Sequence, residues 1–133
     1  MTEIPAQEDR HLQIGVRGEQ EAEMFAVKRG LKIIGKNYRK RYGEIDLITK
    51  EGRIVHFVEV KTSIFRENTA FPAEIRVDRR KQGKLIRVCE TYLLDVLHDD
   101  GETQWQIDVI AVTLNPDLSL KYINIIDNAV SDF

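Results

Sequence analysis

The sequence predicts an α/β domain with the element order α-β-β-β-α-β-β, and three observations lead there. Residues 43–62 (GEIDLITKEGRIVHFVEVKT) hold two alternating strand patterns around a Glu51-Gly52 turn. Two segments, 16–29 and 78–98, space their apolar residues at a helical period. Two further strand-like runs, 105–114 and 119–126, flank Asn115-Pro116-Asp117. At 133 residues the chain suits one domain with a single core.

Residues 1–13 are polar and read as a mobile tail ahead of a single domain over 14–130. In the first helix Val16, Ala22, Phe25 and Ala26 form the inward stripe, and Gly30 supplies the stop. Glu19 shares that stripe, where a carboxylate needs a partner or a task. The plainer account is a first-turn glutamate favoured by the helix dipole. Leu31 to Tyr38 reads as the first strand, followed by the basic run Arg39-Lys40-Arg41.

With Glu51-Gly52 as a two-residue loop, Asp46 faces Phe57 and Glu44 faces Glu59, with Asp46 diagonal to Glu59. Alternation then puts Glu44, Asp46, Glu59 and Lys61 on one face. Ile45, Leu47, Ile54, Val58 and Val60 occupy the other, interrupted by His56. Converging carboxylates repel unless a proton or a cation sits between them. A hard divalent ion such as Mg²⁺ suits oxygen ligands, and a lysine beside it can steady a phosphate or a water. Those are the parts of a phosphodiester hydrolase. The alternative is a solvated face on which Lys61 neutralises Glu59.

Residues 63–77, with Pro72, read as a loop placed to contact a substrate. Asp78 is the expected N-cap of a helix ending near His98, burying Leu85, Cys89, Tyr92, Leu93 and Val96. Cys89 is then a core thiol. Lys81 and Gln82 fall in the first turn, where backbone N–H groups favour a phosphate. Trp105 reads as a strand-end core residue.

Net charge is −2, yet the charges are segregated. Residues 36–41 carry four cations and no acid, and residues 76–87 carry six cations against Asp78. Residues 88–120 carry seven acids and no lysine or arginine. Such a chain can present a basic face to a polyanion while remaining acidic overall. One cysteine excludes an internal disulfide, and no apolar run reaches membrane-spanning length. The polar start shows no secretory h-region, so a cytoplasmic location is expected. His11, His56 and His98 form no metal pattern, and no glycine-rich phosphate loop supports a nucleotide cofactor.

GEIDLI followed by FVEVKT resembles the active-site hairpin of the PD-(D/E)xK nuclease superfamily. The wider pattern resembles the YraN-like family of small, largely uncharacterised bacterial proteins. It comprises Gly15, Gly18, Glu19 and Ala22, then Gly30, Asn37, Gly43–Ile48, Phe57–Lys61, Lys81-Gln82 and Asp108-Val109. Ile45 stands where the superfamily often has proline. Gln106 and Ile107 replace the arginine and aromatic that often precede the late aspartate. The resemblance implies a restriction-endonuclease-like three-layer fold, a mixed central sheet flanked by helices. It further implies an endonuclease acting on DNA, branched or structured forms included, with one or two Mg²⁺ or Mn²⁺ ions per site.

In that scheme Asp46, Glu59 and the Val60 carbonyl hold the ion, Lys61 activates water, and Glu19 completes the acidic cluster. Gln82 steadies the phosphate, while Arg39, Lys40, Arg41, Arg79, Arg80, Lys81 and Lys84 bind nucleic acid. A homodimer is also implied. The competing expectation is a non-catalytic nucleic-acid-binding or scaffold protein that keeps the nuclease fold.

Overall fold

The computed structural model describes residues 7–67, 79–99 and 101–130. Helix α1 (Gln7–Lys28) leads into strands β1 (Lys32–Lys40), β2 (Gly43–Glu51) and β3 (Ile54–Ile64). Helix α2 (Arg79–Asp95) and strands β4 (Gln104–Leu114) and β5 (Leu120–Ile126) complete the expected order. The five strands form one mixed sheet in sequence order, antiparallel throughout except where β3 runs parallel to β4.

Two apolar cores separate three layers. Ala22 and Ala26 of α1 pack with Leu47, Val58, Ile110, Val112 and Leu114 on one face. On the other, Leu85, Val88, Cys89, Tyr92 and Leu93 of α2 cover Ile45, Ile48, Val55, Phe57, Ile107 and Val109. Trp105 packs there as expected, edge-on to Phe57 at 5.6 Å between ring centroids. Burial pushes the Cys89 thiol far up, so it stays protonated. No helix among the described residues is long and apolar enough to cross a membrane.

Several boundaries differ from expectation, each for a physical reason. Helix α1 starts at Gln7, so residues 7–13, expected as tail, form its first turns. Arg10 ties them down by donating to the Pro116 carbonyl at 2.7 Å. Strand β1 continues through Arg39 and Lys40 because both pair with β2. Helix α2 ends at Asp95 with His98 in the left-handed region, leaving Val96 46% exposed while Val88 takes a core place. Strand β3 runs to Ile64, into the expected loop; the rest of that loop beyond residue 67, and the Asp78 cap, lie outside the described residues.

The hairpin register also shifts. Glu51 pairs with Ile54, so the loop is Gly52-Arg53 rather than Glu51-Gly52. The first loop residue takes a φ of 59°, which glycine adopts without the steric cost of a side chain. A shift of two residues keeps every side chain on its face but changes its partner. Leu47 now pairs with Val58 as the last pair of the ladder, which brings Asp46 to Val60 rather than to Phe57.

Candidate functional site

Glu19, Glu44 and Asp46 converge where β2 parts from β3, each offering a carboxylate oxygen within 4.8 Å of the others. Helix α1 delivers Glu19 because Gly18 lets it lie directly on β3. A Cβ at position 18 would stand 1.8 Å from Thr62 Oγ1. Asp46 arrives through a break in strand alternation. Ile45 and Ile48 both pack toward α2, whereas Leu47 packs toward α1. Across from Asp46, between the pairs Lys36–Leu47 and Tyr38–Ile45, Asn37 takes a left-handed φ of 50°. Asparagine tolerates that conformation better than most residues. The β2–β3 pairing ends at Leu47–Val58, and beyond it Asp46 Oδ2 accepts the Val60 N–H at 2.8 Å. Val60 thus meets Asp46 through its amide.

Glu19 and Asp46 border a pocket of about 130 Å³ whose lining also includes Glu23, Lys36, Asn37 and Val60. Burial pushes the Asp46 carboxyl up to about 6 against the opposing Val60 hydrogen bond, and the charges of Glu19, Glu44 and Glu59 push the same way. Glu19 is raised as well, by burial first and by Glu44 second, while Arg39 opposes. Arg39 Nε lies 3.1 Å from Glu44 Oε2. An oxygen-only donor set that repels itself in this way suits a hard divalent cation.

Glu59 stands outside that trio. Its Oε1 meets Lys81 Nζ of α2 at 2.9 Å, and its Oε2 is buried with no hydrogen-bond partner. The expected single face of Glu44, Asp46, Glu59 and Lys61 is therefore corrected. Glu44 and Asp46 turn to Glu19 on α1, and Glu59 reaches α2, because alternation breaks at Asp46. Lys61 is half-buried two residues beyond Glu59 on β3, and Gln82 sits in the first turn of α2.

The turn that follows the first basic run packs on the helix that carries the second. The Tyr42 hydroxyl hydrogen-bonds Thr91, and the Arg87 guanidinium lies 3.9 Å over the Tyr42 ring. A Cβ at Gly43 would approach Val88 Cγ2 to 2.8 Å, so the β1–β2 turn rests on α2. Arg41 thus adjoins a turn seated on the helix that carries Arg79, Arg80, Lys81 and Lys84, all exposed, while Arg39 turns to Glu44.

Asp108 belongs elsewhere. It is fully buried and accepts from His56 Nδ1 at 2.6 Å, Gln106 Nε2 at 2.8 Å and the Asn128 amide at 2.8 Å. It joins β3 to the segment after β5, a structural clamp that the polar His56 in an apolar strand signals in sequence. Glu44 as a member of the acidic trio and Lys81 as the partner of Glu59 were not foreseen. Both depend on the break at Asp46 and on how α2 docks.

A family model described as uncharacterised protein family UPF0102 matches residues 18–112. Among curated relatives, a UPF0102 protein of Caldanaerobacter subterraneus subsp. tengcongensis is 38% identical over 87% of this chain and 93% of its own length. One from Campylobacter fetus subsp. fetus is 35% identical over 76% of this chain and 84% of its own. A third, from Kosmotoga olearia, is 34% identical over 84% and 92%.

Proposed function

This chain belongs to the uncharacterised protein family UPF0102, the YraN-like group of the PD-(D/E)xK-like nuclease superfamily, and from that premise we propose a divalent-cation-dependent hydrolase of DNA phosphodiester bonds, branched DNA included. The observation that carries the reading is the trio Glu19, Glu44 and Asp46, with Asp46 raised to about 6 by burial and by its acidic neighbours. A Mg²⁺ or Mn²⁺ ion, which Glu19, Glu44 and Asp46 would hold, would supply Lewis acidity to the phosphate and lower the pKa of a bound water. Asp46, oriented by the Val60 amide, would be one of its ligands. Lys61, on the strand that carries Glu59, offsets charge growing on the phosphate. Gln82 and the first turn of α2 orient a phosphate, and the surrounding arginines and lysines position the backbone without reading bases.

One observation favours a non-catalytic nucleic-acid-binding protein instead: Lys81 already neutralises Glu59. Cleavage assays on duplex, single-stranded and four-way-junction DNA with Mg²⁺ or Mn²⁺ decide between the two. Lys61→Met is expected to lower cleavage by about a hundredfold while DNA affinity changes by less than about twofold. DNA binding without cleavage of any substrate by the wild-type chain sinks the hydrolase and leaves the binding protein.

A further inference from the structure

Glu59 is an awkward residue as the structure leaves it. Its side chain is 13% exposed, one oxygen is buried without a hydrogen-bond partner, and its charge is met by a lysine from another element. A carboxylate so placed needs a cation close by, because its desolvation is uncompensated otherwise. Lys81, in contrast, is 58% exposed and rooted in the first turn of α2 beside Arg79, Arg80 and Lys84. It stands between a surface suited to phosphates and an acid suited to a metal. Its flexible stem and three donors let the ammonium turn from one to the other.

We propose that Lys81 is a positioning residue that holds Glu59 apart from the acidic trio until a DNA phosphate takes its place, so that DNA and the divalent cation bind cooperatively. This rests on the metal-dependent reading above. Withdrawing Lys81 leaves Glu59 charged near Asp46, which strengthens the demand for a cation at the trio. Conversely, a cation that engages Glu59 frees Lys81 for the phosphate. The coupling must be equal in both directions.

Mn²⁺ affinity, followed by electron paramagnetic resonance with and without a cleavage-resistant phosphorothioate duplex, tests it. In the wild-type chain the duplex is expected to tighten Mn²⁺ about tenfold. Lys81→Gln should bind Mn²⁺ about that much more tightly without duplex and gain little from adding it; Lys81→Arg should restore the duplex response. Lys84→Gln measures the general effect of losing a nearby charge, which the Lys81 effect must exceed. In a Glu59→Gln background, Lys81→Gln should shift Mn²⁺ affinity by less than about twofold, since the pair is already broken. Equal Mn²⁺ affinities in wild type and Lys81→Gln overturn the coupling and leave the metal site standing. No Mn²⁺ binding by any variant overturns the metal site and the coupling together.

Discussion

Asp46 has a pH signature opposite to that of an ordinary paired carboxylate. Its folded-state pKa, about 6, lies above its ordinary value of 3.8 because burial disfavours the charge. The folded protein therefore holds this proton more tightly than the unfolded chain, and stability is lost as the pH rises from below 3.8 through about 6. Asp46→Asn keeps an acceptor for the Val60 amide and removes the charge. Without divalent metal it should raise unfolding free energy at pH 8 by up to about 3 kcal/mol, a gain that vanishes near pH 3. Urea titrations at the two pH values measure this, and a loss of stability at pH 8 would make Asp46 a structural ligand. Asp46 and Glu19 were legible in the sequence because each sets an acid where a core residue is expected. Their neighbours were less so. The Glu59–Lys81 and His56–Asp108 pairs join residues from separate elements, and no local pattern states which partner a buried charge will find.

At the scale of elements, the strands and helices were readable from periodicity, whereas the site depends on where periodicity fails. The expected hairpin put glycine second in its loop; placing it first moved the register by two residues and brought Asp46 to Val60 rather than to Phe57. Asn37 then spoils alternation at the row that matters. The packing of α1 on β3 is a second such point, and Gly18 controls it. Gly18→Ala should cost about 1–3 kcal/mol, because Thr62 or the whole helix must yield. It should also weaken Mg²⁺ binding, since Glu19 moves with the helix. Thr62→Ser removes one of the crowding atoms and should recover part of both losses in the double mutant. Undiminished Mg²⁺ affinity in Gly18→Ala, measured calorimetrically, would remove Glu19 from the ligand set. Helix α2 supplies a separate test. Replacing Arg79, Arg80 and Lys84 by alanine should reduce the salt dependence of DNA binding by about one unit of log–log slope for each phosphate no longer neutralised. An unchanged slope would move the DNA toward the Lys36–Arg41 run.

Across the whole molecule, charge segregation explains how a chain of net charge −2 can present a cationic surface to a polyanion. The three layers followed from element order and the resemblance together, whereas the seating of the turn after the first basic run on the helix that carries the second required the docking of Tyr42 and Gly43 on α2. Because each face of the sheet has its own apolar core, the fold does not need metal to stand. A cation should nevertheless stabilise it by linkage, by about 2.7 kcal/mol at a hundred times the dissociation constant. For a domain of this size that is about 8–10 °C in Tm. The increment should be pH-dependent in a direction fixed by Asp46. At pH 8 the carboxyl is ionised and Mg²⁺ would bind without displacing its proton. At pH 5, below its value of about 6, the proton competes and the Mg²⁺-induced shift should shrink severalfold. Scanning calorimetry with MgCl2 against ionic-strength-matched NaCl, at both pH values, separates this linkage from general screening. Equal Mg²⁺ increments at pH 5 and pH 8 would place the ion on groups other than Asp46, and the metal-centred account of this end of the sheet would fall with it.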